Sequence, residues 1–90
     1  MMNKVYVVEQ IWEYDGQVDT KIEVFSNLEK AKEQKQKWID DAGHFIEDIQ
    51  SYIDDGNLDS HIDNGETYFY AYDSLSFEAL TIVIEEKEIL

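Results

Sequence analysis

The sequence predicts an α+β domain: a four-stranded antiparallel sheet in β-β-α-β-β order, with one long helix packed on one face. Three observations carry this. Asp15-Gly16 separates two runs rich in β-branched and aromatic residues, a strong hairpin signal. Apolar residues from Leu28 to Ile53 recur at helical spacing without losing phase. Beyond a polar stretch, two further runs alternate as strands do. Ninety residues, 43% apolar and 13% aromatic, hold enough material for one core, so residues 1–90 are expected to form a single domain.

Residues 4–14 read as the first strand and Val18 to Phe25 as the second. A two-residue turn at Asp15-Gly16 sets Tyr14 opposite Gln17, Ile11 opposite Thr20, Glu9 opposite Ile22 and Val7 opposite Val24. One hairpin face then holds Val5, Val7, Ile11, Ile22 and Val24. The other holds Tyr6, Val8, Trp12 and Phe25, mixed with Lys21 and Glu23. Ser26-Asn27-Leu28-Glu29 reads as a capping box that starts a helix, with Ser26 at the N-cap. Gly43 lies off the apolar stripe and costs about 1 kcal/mol relative to alanine. The unbroken phase nevertheless favours one helix to Asp55, with any bend at Gly43 and a stop at Gly56. Residues 56–66 read as a polar loop. Tyr68, Tyr70 and Tyr72 then alternate with Phe69 and Ala71, and a last strand runs from Ala79 to Glu86.

Charge narrows the function. Twenty-one acids against seven lysines give a net charge of −14, and there is no arginine. Such a surface repels DNA, RNA and anionic membranes, so no direct nucleic-acid or membrane binding is expected. The complementary partner is a basic protein surface. The acids also cluster: from Trp38 to Glu86 there is no lysine, yet 13 of the 21 acids fall there.

Within that segment the doublets Asp40-Asp41, Glu47-Asp48 and Asp54-Asp55 repeat every seven residues. On an intact helix, positions 40, 47 and 54 lie opposite the apolar stripe, roughly 10.5 Å apart along the axis. A rigid row of carboxylates can stand in for phosphates in a basic groove. Duplex DNA carries one charge per ~1.7 Å. The ladder supplies one per roughly 5 Å, so Asp59, Asp63 and Glu66 are expected to add to it. Acids at the middle and C-terminal end of a helix oppose its macrodipole, which argues for a role other than stability. The alternative is a solvated helix face.

A second candidate surface is aromatic. Tyr68, Tyr70 and Tyr72 share one strand face, and with Trp12 they form the expected dimer or partner face. His44 falls among the ladder acids and His61 in the loop; both read as exposed histidines. The loop 54–66 misses the EF-hand offsets, so no metal site is expected. Catalysis has no support. Cysteine and arginine are absent, and Ser26, Ser51, Ser60, Ser74 and Ser76 have no histidine at a recognisable spacing. The reading is therefore a non-enzyme with no cofactor. No apolar run nears the ~20 residues of a membrane span, and Met1–Tyr6 lacks a leader's apolar core. A cytoplasmic location follows, the host cytoplasm if the chain is phage-encoded.

Lys4-Val5-Tyr6-Val7-Val8 and Val24-Phe25-Ser26-Asn27-Leu28-Glu29-Lys30-Ala31-Lys32 resemble segments of small acidic proteins of phages and mobile elements. The resemblance covers about a third of the sequence and transfers no functional residue. Small size and strong acidity are also similar to the DNA-mimic inhibitors, anti-CRISPR and anti-restriction proteins among them, a class defined by its physics. That likeness implies an inhibitor of a nucleic-acid-binding defence nuclease. An immunity protein against a basic toxin nuclease, or a dimerising interaction module, are the alternatives.

Overall fold

The computed structural model describes residues 3–89; Met1 and Met2 of the opening segment lie outside them. The elements are β1 (Asn3–Tyr14), β2 (Gln17–Phe25), α1 (Leu28–Asp41), α2 (Gly43–Asp54), β3 (His61–Asn64), β4 (Tyr68–Asp73) and β5 (Glu78–Ile89). All neighbouring strands pair antiparallel, in the order β2-β1-β5-β4-β3.

The hairpin register is the expected one, with Tyr14 opposite Gln17 and Val7 opposite Val24. Its turn has positive φ at both central residues, 49° at Asp15 and 73° at Gly16. That is the turn whose twist matches the flanking strands.

Two expectations are corrected. The sheet has five strands rather than four, and two helices replace the single long one. The extra strand is β3, inside the stretch read as a loop. His61-Ile62-Asp63-Asn64 has one apolar residue, too few for a visible alternation. It pairs at the sheet edge through its backbone, and Asn64-Gly65 opens the turn into β4. The helix is interrupted at Ala42, whose φ of −93° and ψ of 18° leave the helical region. Gly43 follows, and its lack of a side chain weakens the helix locally. Apolar phase continues across the break, so periodicity alone conceals it.

The helix ends differ from expectation at the start and agree at the finish. Asn27, not Ser26, is the N-cap: its Oδ1 accepts from the N–H groups of Glu29 (2.7 Å) and Lys30 (3.3 Å). At the far end Gly56 has φ 94°, its N–H donates to the Ile53 carbonyl, and the Asn57 N–H donates to the Tyr52 carbonyl. This is a Schellman closure, which needs the left-handed conformation that glycine adopts freely.

The helices cover one face of the sheet. Val8, Phe69, Ala71, Leu80 and Ile82 point into the core from the strands, and Ala31, Trp38, Ala42 and Ile49 meet them from the helices. α1 packs on β1 and β5, α2 on β3 and β4. Only Phe25 of β2 is even half-buried, so the inner side of that edge strand is left open.

One core position is a lysine. Lys35 is only 6% exposed on the buried stripe of α1, and its Nζ donates to Asn64 Oδ1 at 2.9 Å. Burial lowers its pKa from the ordinary 10.5. The charged form is therefore penalised in the fold at all pH below the folded pKa. The penalty fades as pH rises through that value towards 10.5. Lys35→Met is expected to raise stability at pH 7 by about 1–2 kcal/mol, because a buried charge is exchanged for an apolar side chain of similar length. Urea unfolding of both proteins should show the advantage shrinking as pH approaches 10.5.

Candidate functional site

Every acid of the expected partner face is exposed: Asp40, Asp41, Glu47, Asp48, Asp54, Asp55, Asp59, Asp63 and Glu66. Three side-chain ion pairs occur among the described residues, Lys4–Glu86, Lys32–Glu66 and Lys87–Glu85. None involves a helical doublet. Asp40 and Asp54 instead accept from Gln36 and Gln50 one turn earlier, at 2.9 and 3.0 Å. These glutamines orient the carboxylates without neutralising them.

The structure does not gather all nine acids into one row. The break at Ala42 separates Asp40-Asp41, at the end of α1, from Glu47, Asp48 and Asp54 on α2. Strand alternation in β3 turns Asp63 to the sheet face away from the helices, opposite Tyr70. Glu66 is bound to Lys32 Nζ at 2.9 Å. Their hydrogen bond holds the Glu66 carboxyl below its ordinary pKa and the Lys32 ammonium above its own. The acidic surface proper is thus the six carboxylates of the three doublets, five on the helices and Asp55 at the α2 C-cap, with Asp59 in the loop beyond.

The open sheet face carries Tyr68, Tyr70 and Tyr72, as the alternation with buried Phe69 and Ala71 implies. Trp12 is not among them. It stands on the opposite face, paired with Leu80 and packed on Phe45 with ring centroids 5.0 Å apart and the planes tilted by 46°. The expected four-aromatic surface is therefore three tyrosines, joined by the more apolar hairpin face. Val18, Ile22 and Val24 of β2 stand about three-fifths exposed there. Tyr68 donates to Asp63 Oδ1 at 3.1 Å, which raises its pKa, and the His61 ring packs against Tyr70 at a tilt of 58°. His44 is exposed at the start of α2, and no metal-binding cluster forms among the described residues.

An apolar tip lies at the β4–β5 turn. Leu75 and Phe77 are exposed, and Phe77 has φ 59°, a costly conformation for a bulky residue. Hydrogen bonds among Asn57, Ser60 and Ser74 tie this turn to the loop bearing exposed Leu58. Phe77→Gly is expected to stabilise the fold by about 1 kcal/mol in thermal unfolding, since strain is relieved and little buried area is lost.

Beneath the uncovered inner side of β2 lies a cleft of about 420 Å³. β1 contributes Gln10, Trp12 and Tyr14 to its wall, β2 contributes Asp19 and Lys21, and the end of α1 adds Trp38 and Asp41. Tyr14 donates its hydroxyl proton to Asp19 Oδ2 at 2.6 Å, and that bond raises the tyrosine pKa. No family model matches this sequence, and no curated protein or solved structure is significantly similar to it.

Sequence reasoning anticipated the exposure of the ladder acids and the shared face of Tyr68, Tyr70 and Tyr72, and missed this cleft. Its residues come from three elements, and only sheet register and helix packing bring them together. One signal was available: Gln10, Asp19 and Lys21 are polar residues at strand positions whose alternation places them on the inner face.

Proposed function

We propose that this protein is an acidic inhibitor that occupies the basic nucleic-acid-binding groove of a bacterial defence nuclease. The observation that carries the reading is the set of six exposed doublet carboxylates on α1, α2 and the α2 C-cap, none of them ion-paired among the described residues. Glutamines hold two of them in place, which lowers the entropic cost of presenting them. The molecule measures 52 × 25 × 19 Å. Its −14 charge over that length is roughly one per 3.7 Å, against about one per 3.4 Å for a single DNA strand. The fields of both partners then steer association, and salt weakens it. Among the described residues no helix is long and apolar enough to cross a membrane.

An immunity protein against a basic toxin nuclease would use the same electrostatics, and a nuclease encoded beside this chain would favour it. A dimerising module is favoured by the apolar open sheet face. The test is affinity capture from a bacterial host lysate with the wild type and with an Asp40→Lys, Glu47→Lys, Asp54→Lys variant as baits. A basic nuclease held only by the wild type, released by salt and inhibited in DNA cleavage supports the proposal. Equal capture by both baits overturns it and moves attention to the tyrosine face.

A further inference from the structure

The cleft between the β1–β2 hairpin and the end of α1 joins a nearly buried amide, aromatic rings and two carboxylates. Gln10 is the decisive residue. Only 9% of it is exposed, yet its side-chain amide has no hydrogen-bond partner among the described residues. No side-chain polar atom there is sealed from solvent without a partner, so the Gln10 amide opens on the cleft it lines. A nearly buried amide with no protein partner is free to bond a ligand held in the cleft.

The walls define that ligand. Trp12, Trp38 and Tyr14 put aromatic rings in its wall, and aromatic rings attract cations. Asp19 and Asp41 supply carboxylates. The Tyr14 hydroxyl engages one Asp19 oxygen, and Asp41 has no ion-pair partner among the described residues. Lys21 opposes them across from Gln10, but two carboxylates against one ammonium leave the cleft negative within a strongly negative molecule. A planar, delocalised charge with five N–H donors can lie on an aromatic ring while bonding carboxylates and an amide oxygen at its edge; a compact, strongly hydrated ammonium has three donors and no such plane.

We infer that this cleft is the receptor for an arginine side chain of the basic protein partner. The arginine anchors the complex beside the ladder doublet Asp40-Asp41. The source of the arginine rests on the function proposed above; the guanidinium specificity of the cleft does not.

The chain has two tryptophans, Trp12 and Trp38, and both line the cleft, so indole fluorescence reports on it directly. The full-length protein is titrated with N-acetyl-arginine amide, N-acetyl-lysine amide and the neutral isostere N-acetyl-citrulline amide. The expected result is a saturable change with the arginine probe and binding weaker by roughly tenfold or more for citrulline. Asp41→Asn, an exposed substitution, and Gln10→Met should each weaken the arginine probe several-fold with circular dichroism unchanged, while Lys21→Gln should tighten it. A response that fails to saturate by ~100 mM, or equal binding of the three probes, overturns the inference. So does undiminished binding by a folded Asp41→Asn protein. Failed nuclease capture beside a positive titration removes the inhibitor reading and leaves the cleft. A failed titration beside positive capture does the reverse.

Discussion

Reversing Asp40, Glu47 and Asp54 to lysine is expected to abolish partner binding and, at the same time, to make the isolated protein more stable. The opposite signs follow from where the residues sit. Asp40 lies in the last turn of α1 and Asp54 in that of α2, where partial negative charge already resides. Placing cations there contributes about 0.3–1 kcal/mol at each helix end. The glutamine bonds lost from Gln36 and Gln50 subtract about 0.2–0.5 kcal/mol each. The net charge moves from −14 to about −8, which also relieves self-repulsion. The balance is a gain of about 1 kcal/mol, read as a rise in thermal midpoint by circular dichroism. Binding moves the other way. Six units of charge change on a steering surface should cost roughly a hundredfold or more in affinity, mostly in the association rate. A variant that melts lower would mean that the ladder supports the fold. One that melts higher and still binds would mean that these carboxylates are merely solvated.

The second large effect is on the core. Phe69→Ala is expected to destabilise by about 3–5 kcal/mol, measured by urea unfolding. Phe69 is 2% exposed in β4, paired between Ile82 of β5 and Asn64 of β3. The void it leaves is walled by a sheet that cannot collapse onto it. A domain of this length holds roughly 5–13 kcal/mol in total, so this change removes a large share. Phe77, eight residues on, has the opposite expectation. It is 75% exposed in a left-handed conformation, and its removal relieves strain. The residue type is the same; burial and φ decide the sign.

Strong local signals survived folding. The Asp15-Gly16 turn set the β1–β2 register residue by residue, because a two-residue loop with positive φ admits one pairing. Alternation in β4 placed Phe69 and Ala71 inward and the tyrosines outward. Weak or degenerate signals did not survive. Ser26 and Asn27 are both good caps, and only the backbone path selects Asn27. β3 has one apolar residue, and its pairing with β4 comes from main-chain groups that every sequence carries.

By itself, then, the sequence determined the α+β class, the hairpin register, the acidity and the linear positions of the carboxylates, since these depend on neighbours a few residues apart. The tertiary structure decided which hairpin face is buried, where the helix breaks, and that Asp63 and Glu66 leave the acidic row. It also created the cleft. Gln10, Asp19 and Asp41 are polar residues scattered over three elements, and nothing local marks them as partners. They meet because α1 packs over β1 and leaves every β2 residue but Phe25 exposed, a consequence of packing between distant segments.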